Sequence, residues 1–195
     1  VRPNIFIKIC AWSTAQISRE LKQQLNLEFG KIPKKLKLYN CVGGGSSSFG
    51  FWNEFIKFDK RQIELIGVEA GGPSRSNKHA APLTNNSKIG VLHGAMQYVV
   101  QNKDGQIEET ESISAGLDYS GVSPLHCFLK DTKRARYVSA SDEDALNAYK
   151  LVTKYEKINP SLEPCHAFAI ACKEARKLDK DTIIIVNSCG DAIKD

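Results

Sequence analysis

The stretch LKLYNCVGGGSSS, residues 36–48, joins an apolar run to three glycines and three serines. Its apolar part, residues 36–42, has the length and composition of a buried β-strand. The aromatic-rich residues 49–58 predict a helix, and QIELIGVE, residues 62–69, predicts a second buried strand. A strand, a glycine loop, a helix and a strand in this order predict two parallel strands joined by a right-handed crossover.

The glycine loop itself has the composition of a phosphate-binding site. Because residues 43–45 have no Cβ, the backbone can curl and direct successive N–H groups into one concavity. The helix that follows adds its positive end, and Ser46 and Ser47 add hydroxyl donors at the rim. The loop has neither the lysine of a P-loop nor the GxGxxG spacing of a dinucleotide-binding fold. The local pattern therefore predicts a nest for a phosphate, with a flexible Gly/Ser linker as the alternative.

Capping and turn residues mark the ends of further elements. A capping box at Ser13 predicts the start of a helix, and Gly30 predicts its end. Asp104-Gly105, between runs with alternating apolar residues, predicts the turn of a β-hairpin. Ser141, which precedes three acidic residues, predicts the N-cap of another helix.

The last third of the chain predicts one more helix and one more strand. Residues 163–178 have helical periodicity, and TIIIV, residues 182–186, predicts a central strand because its continuous β-branched run suits burial on both faces. The sequence shows no internal repeat and no domain boundary. We therefore expect residues 1–195 to form a single α/β domain with an open, mostly parallel sheet and helices on both faces.

The composition does not favour a nucleic-acid or membrane partner. The chain has 27 Lys and Arg against 22 Asp and Glu, and the resulting net charge of +5 is scattered along the sequence. No stretch approaches the roughly 20 consecutive apolar residues of a membrane span. The six cysteines contain no CxxC pair and the four histidines have no metal-ligand spacing with them, which disfavours zinc and predicts reduced thiols in a cytoplasmic protein.

Seven segments, taken together, resemble the beta subunit of tryptophan synthase, a family of fold-type-II pyridoxal phosphate enzymes. In the family's order and at about its spacing they are CVGGGS at 41–46, LIGVEAGG at 65–72, HAAPL at 79–83, GVLHG at 90–94, DGQI at 104–107, SISAGLDY at 112–119 and LEPCHA at 162–167. The resemblance begins near Gly30 and implies that the chain is the C-terminal half of such a subunit.

The resemblance implies a set of residues that bind pyridoxal phosphate. They are Gly43, Gly44, Gly45, Ser46, Ser47, Gly116, Glu163, Cys189 and Gly190. The glycine loop and its serines would hold the phosphate, and Gly116 would approach the cofactor with its backbone. Glu163 corresponds to a glutamate beside the cofactor ring, although an acid that stabilises a helix start is the alternative interpretation.

Three positions depart from the family's pattern. Ser47 stands where the family has asparagine, and Cys189 stands where a serine meets the pyridine nitrogen; a register slip of one residue would place Ser188 there instead. Asp191 replaces an arginine that forms an ion pair with the position of Asp118. Asp118, as the catalytic residue on the substrate side, would face the amino acid and help to close the site.

The resemblance also implies a cation site and a residue that lines the passage for indole. A monovalent cation, Na⁺ or K⁺, would bind backbone carbonyls of Val42, Gly43, Leu117 and Tyr119. His93 would line the passage for indole, with a core or wall histidine as the alternative, and the other three histidines are predicted to be structural.

The implied reaction is the β-replacement of L-serine with indole to give L-tryptophan in the full-length parent. That parent would be a homodimer with an alpha-subunit partner. Its Schiff-base lysine lies in the N-terminal half, which this sequence does not contain, so the chain alone is expected to be inactive. The alternative is a non-catalytic or degenerate domain that binds phosphorylated ligands or a partner subunit.

Overall fold

A computed structural model of the chain describes residues 9, 12–85, 87–190 and 192. In chain order, its helices and strands are α1 (Gln16–Phe29), β1 (Leu36–Cys41), α2 (Ser46–Trp52), β2 (Ile63–Ala70), β3 (Lys88–Leu92), β4 (Ala95–Val99), α3 (Pro124–Asp131), β5 (Ala135–Ala140), α4 (Asp142–Glu156), α5 (Leu162–Ala175) and β6 (Ile183–Val186). Within the described residues, no helix has the length and apolar character needed to cross a membrane.

The central sheet is parallel, as the sequence predicted. Four strands lie in the order β5-β2-β1-β6, and each neighbouring pair is parallel. The strands β3 and β4 form a separate antiparallel pair. Since β1 pairs with both β2 and β6, the loops after β1 and after β6 leave the same edge of the sheet side by side.

Helices cover both faces of the sheet, which confirms the predicted fold class. On one face, Leu38 of β1 and Leu65 of β2 pack with Trp52 of α2 and Leu129 of α3. On the other face, their neighbours in the strands pack against small side chains of α4 and α5. That cluster contains Tyr39, Ile66, Val68, Ala145, Ala148, Cys165, Ala167, Ala169 and Ala171. Alternate side chains of a strand point to opposite faces, so β1 and β2 contribute to both clusters.

Two of the predicted helix starts are wrong. The helix predicted to be capped at Ser13 has Ala15 as its N-cap, with no side-chain cap hydrogen bond, although it ends at Gly30 in the left-handed conformation as expected (φ 69°). The helix predicted over residues 49–58 is α2, which begins at Ser46 because Gly45, with φ 95°, turns the chain directly into the helix.

The prediction of a central strand at the C-terminal end is also wrong. Among the described residues, β6 lies at an edge of the four-stranded sheet and pairs with β1 alone, and all four of its residues are half-buried. A β-branched run indicates a strand with two packed faces, but it does not specify how many neighbouring strands it pairs with.

The predicted hairpin around Asp104-Gly105 is present but short. Gln101 and Ile107 form an antiparallel bridge on either side of the turn, and the N–H of Glu108 donates to the carbonyl oxygen of Val100 at 3.0 Å. The longer hairpin is β3–β4, and its turn residues His93 and Gly94 have φ values of 51° and 73°. Positive φ at both turn positions matches the twist of the flanking strands, which explains why the tighter pairing forms there.

Candidate functional site

A cavity of about 240 Å³ lies at the carboxyl edge of the sheet. It is bounded by the glycine loop after β1, the loop after β6, the turn that precedes Leu117 and the first turn of α5. Its lining residues are Cys41, Gly43, Gly44, Gly45, Ser46, Ser47, Ser48, Gly116, Leu117, Glu163, Cys189 and Gly190. All nine residues that the resemblance assigned to the cofactor are thus brought together around one cavity.

The three glycines of the loop have different surroundings. A Cβ on Gly43 would lie 2.6 Å from the carbonyl oxygen of Gly116, and a Cβ on Gly45 would lie 2.2 Å from the ring of His126. A Cβ on Gly44 would meet no atom within 4 Å, because this residue faces the open cavity. The loop therefore packs tightly at both ends and presents bare backbone at its centre.

His126 holds the loop from behind. Its Nε2 lies 2.8 Å from the carbonyl oxygen of Gly45 and 2.9 Å from Oγ of Ser48, and its Nδ1 lies 2.7 Å from the hydroxyl of Tyr137. A carbonyl oxygen can only accept, so Nε2 carries the proton and Tyr137 donates to Nδ1. Burial lowers the pKa of His126 to about 4, against a smaller opposing effect of the Gly45 hydrogen bond. The ring is therefore neutral and has a defined tautomer.

Ser47 faces the cavity with its hydroxyl oriented by two amides. Its Oγ accepts from Nδ2 of Asn187 at 3.4 Å and from Nδ2 of Asn40 at 3.5 Å. Because both lone pairs are engaged, its own O–H is left to donate into the cavity or to Cys189.

Glu163 joins the opposite wall to the turn at Gly116. This side chain is 5% exposed, lies in the first turn of α5, and its Oε1 accepts from the N–H of Gly116 at 3.0 Å. A Cβ on Gly116 would lie 2.6 Å from the same oxygen. Glu163 thus stands at a helix start and also lines the cavity, so its position agrees with either interpretation.

The loop after β6 presents Cys189, and not Ser188, to the cavity. Ser188 is exposed and does not line it. Oγ of Ser161 donates to the carbonyl oxygen of Cys189 at 2.8 Å, and a Cβ on Gly190, with φ 93°, would lie 2.2 Å from that Oγ. The backbone is thus held in one position, with the side chain of Cys189 turned inward.

The thiol of Cys189 contacts a second thiol. Its Sγ is 3.5 Å from Sγ of Cys41 and 3.8 Å from Oδ1 of Asn40. The hydrogen bond from Cys41 is the largest cause that lowers the pKa of Cys189, to about 7, while burial opposes it. The same hydrogen bond, together with burial, raises the pKa of Cys41.

Several predicted residues lie beside the cavity and not in its lining. Asp118 is exposed, and its N–H donates to the carbonyl oxygen of Ser114 at 3.2 Å. Tyr119 stacks on His93, with 5.9 Å between ring centroids, and His93 is exposed, so it is not a core histidine. Asp191 lies outside the described residues.

The segments predicted to bind a cation are in contact with each other. A Cβ on Gly43 would lie 3.2 Å from Cα of Leu117, although the Leu117 carbonyl also accepts from Tyr119 N–H at 2.9 Å. Val42 is buried beside them. Among side chains of the described residues, no group of three or more His, Cys, Asp or Glu could hold a metal ion.

Sequence reasoning missed three residues of this region. Cys41 and Ser48 flank the glycine loop, so their place in the motif was a usable signal. The contact of His126 with Gly45 had no such signal, because 81 residues separate the two in sequence.

The fold is shared with a solved structure. The crystal structure of a threonine deaminase from T.th. matches 91% of this chain and 57% of that chain, with a TM-score of 0.58 and 17% sequence identity. The chain therefore has the same fold as the matched part of this threonine deaminase.

The sequence comparison points to a narrower group of proteins than the fold comparison does. The chain is 46% identical over 180 residues to the tryptophan synthase beta chain of Chromobacterium violaceum and 44% identical over 182 residues to that of Stenotrophomonas maltophilia. These alignments cover 92% and 93% of this chain and 44% of each relative. The chain is therefore a homologue of the tryptophan synthase beta chains, as the motifs predicted, and it spans less than half the length of the curated relatives that it matches. No family model matches it.

Proposed function

We propose that the cavity binds pyridoxal phosphate and that the chain forms the cofactor-phosphate-binding part of a tryptophan synthase beta chain. The complete protein would catalyse the β-replacement of L-serine with indole to give L-tryptophan. The observation that carries this proposal is the glycine loop, whose central residue Gly44 presents bare backbone to the cavity. It is supported by 44–46% identity to proteins of that name.

The residues around the loop fit a phosphate. Amides at the start of α2 have no acceptor within their own helix, and they follow a loop whose centre carries no side chain. Ser46 and Ser47 would add hydroxyl donors. The hydrogen bond from Nε2 of His126 would keep the carbonyl oxygen of Gly45 turned away from the anion.

The rest of the cavity lining offers groups that suit a pyridine ring. Cys189 would meet the ring nitrogen, as a weaker hydrogen-bond partner than the serine of the family, and Glu163 and the backbone of Gly116 would lie beside the ring. When bound, the cofactor supplies an electron sink for the reacting carbon of the substrate. The exposed Asp118 would face the amino acid from the turn that carries Gly116.

Covalent anchoring and proton transfer would require a lysine from another part of the protein. Among the residues that the structure describes, no lysine lines the cavity. We also propose, on family resemblance, a monovalent cation at the carbonyls of residues 42, 43, 117 and 119, a homodimer, an alpha-subunit partner and a cytoplasmic location.

A non-catalytic ligand-binding domain is the second candidate function. It is favoured by the thiol of Cys189, which stands where the ring nitrogen of the cofactor would lie.

Binding of the phosphate can be tested with pyridoxine 5′-phosphate, which lacks the aldehyde and so does not react with surface lysines. We expect the purified chain to bind this ligand in calorimetric titration and not to bind pyridoxine. Gly44→Asp should weaken binding more than its uncharged isostere Gly44→Asn, because only the aspartate repels the phosphate. Equal affinity of wild type and Gly44→Asp would remove the phosphate assignment.

The reaction is tested separately. We expect a longer protein that joins this segment to the lysine-bearing part to form tryptophan from L-serine and indole, and we expect the 195-residue chain alone to form none. Turnover by the chain alone would contradict the need for an external lysine. Cofactor binding without turnover in the longer protein would favour the non-catalytic candidate.

A further inference from the structure

Two thiols meet at the base of the cavity. Sγ of Cys41 lies 3.5 Å from Sγ of Cys189, across 148 residues of sequence. They come together because β1 and β6 are neighbouring parallel strands whose pairing ends with Tyr39 and Val186, and each cysteine follows within three residues. Both side chains line the cavity.

The surroundings hold the backbones of both cysteines so that their sulfurs face each other. The carbonyl oxygen of Cys189 accepts from Ser161, and its Sγ lies near Oδ1 of the fully buried Asn40. Cys41 is the last residue of β1, so its backbone belongs to the central sheet. The backbones of the two cysteines are therefore held by one strand and one hydrogen-bonded loop, and their side chains can still rotate.

We propose that Cys41 and Cys189 form a reversible disulfide, which makes the cavity sensitive to redox conditions. A disulfide bond is about 2.0 Å long, so the two sulfurs need to approach each other by about 1.5 Å. Cys189 lies in a loop beyond β6 and is partly exposed, so it can supply most of this movement. Its exposure also makes it the thiol that an oxidant in the cavity reaches first.

A small disulfide such as oxidised glutathione is the oxidant. The thiolate of Cys189 attacks one sulfur of this disulfide, and a new S–S bond forms while one glutathione thiolate leaves. The thiolate of Cys41 then attacks Sγ of Cys189, and the second glutathione thiolate leaves. In total, the protein gives up two electrons and two protons, and one small disulfide becomes two thiols.

The consequence for ligand binding rests on the proposed function. In the disulfide, Cys189 has no S–H and its sulfur is drawn towards Cys41, away from a bound ring. Loss of one hydrogen bond is worth about a factor of ten in affinity. We therefore expect oxidised protein to bind pyridoxine 5′-phosphate about tenfold more weakly than reduced protein.

The disulfide is tested on the whole folded chain in glutathione redox buffers. After an acid quench, free thiols are blocked, and the digest is read by mass spectrometry. We expect a peptide cross-link between Cys41 and Cys189 that dithiothreitol removes, with the exposed Cys172 as an internal reference that forms no protein disulfide. Absence of the cross-link, or a separate glutathione on each cysteine, overturns the proposal.

Two variants make the result specific. Cys172→Ser should leave the cross-link intact, whereas Cys41→Ser should abolish it and leave Cys189 carrying glutathione. Because the wild-type cross-link is read under native conditions, its detection does not depend on the folding of either variant. A disulfide between Cys189 and any other cysteine in Cys41→Ser would overturn the assignment of Cys41 as the partner.

The two proposals can fail separately. A cross-link in a protein that does not bind pyridoxine 5′-phosphate in its reduced form supports the disulfide and contradicts the cofactor proposal. Equal affinity of reduced and cross-linked protein overturns the effect of the disulfide on the cavity.

Discussion

Gly44 and Gly45 are neighbours in the chain, but their α-carbons face different surroundings. Gly45 has φ 95°, and its Cβ would lie 2.2 Å from the ring of His126, whereas Gly44 faces open space. We expect Gly45→Ala to lower the free energy of unfolding by about 2–4 kcal/mol, because it combines backbone strain with overpacking. The matched variant Gly44→Ala should change it by less than about 1 kcal/mol. Urea unfolding of the two variants checks this, and equal losses would contradict the packing of the loop.

His126 and Tyr137 should act as one unit. Tyr137→Phe leaves Nδ1 of His126 buried without a donor, and His126→Phe leaves the Tyr137 hydroxyl without its acceptor, whereas the Gly45 carbonyl still accepts from the N–H of Phe49. Each unsatisfied buried group costs about 1–3 kcal/mol. We expect the two variants to be less than additive in a double-mutant cycle of urea unfolding. Additivity within about 0.5 kcal/mol would show that the two side chains do not interact.

At the residue scale, the sequence was informative where residues lie close together in the chain. The glycine run and its serines were assigned from a local pattern, and Gly190 fixed the register that places Cys189 inward. The pairing of Cys189 with Cys41 depends on β6 lying beside β1. No local pattern contains that strand order, so the thiol pair could not be predicted.

Among the elements, α4 has the most complete N-terminal cap. Oγ of Ser141 accepts from the N–H of Asp144 at 3.1 Å, and three acidic residues occupy the first turn. We expect Ser141→Ala to lower the free energy of unfolding by about 1 kcal/mol and Ser141→Asn to restore most of it. The exposed Ser188→Ala is the control and should stay within about 0.5 kcal/mol of wild type in urea unfolding. A loss in the control equal to that of Ser141→Ala would contradict the capping role.

Elements were predictable where a local cap or period determines them. The C-cap at Gly30, the N-cap at Ser141 and the strands β1 and β2 follow from such signals and are present. The edge position of β6 and the β3–β4 hairpin were not predicted. Both depend on which strands pair, and pairing is decided by contacts between distant residues rather than by propensity.

Across the whole molecule, two buried ionisable groups set opposite trends of stability with pH. Burial raises the pKa of Glu69 to about 8, although the N–H of Leu83 and the hydroxyl of Thr84 donate to it. Burial lowers the pKa of His126 to about 4. In the folded state both groups therefore prefer to be neutral, whereas in the unfolded chain Glu69 ionises near pH 4.5 and His126 near pH 6.5.

The directions follow from proton linkage. Between pH 4.5 and about 8 the folded protein holds a proton on Glu69 that the unfolded chain has lost, so stability falls as pH rises. Between pH 6.5 and about 4 the unfolded chain holds a proton on His126 that the folded protein lacks, so stability falls as pH drops. Where the two windows overlap, from pH 4.5 to 6.5, the two trends offset each other.

Glu69→Gln isolates the first of these trends. The glutamine has the same shape, carries no charge at any pH, and can accept from Leu83 through its amide oxygen. From pH 6.5 to about 8, wild type should lose up to about 1.4 kcal/mol more unfolding free energy per pH unit than the variant, because the two proteins differ in the Glu69 proton alone. Urea unfolding at pH 4.5, 6.5 and about 8 measures this, with the exposed Glu109→Gln as a control that keeps the wild-type slope. If Glu69→Gln keeps the wild-type slope above pH 6.5, Glu69 is ionised in the folded protein, and the hydrogen bonds from Leu83 and Thr84 outweigh the burial of its charge.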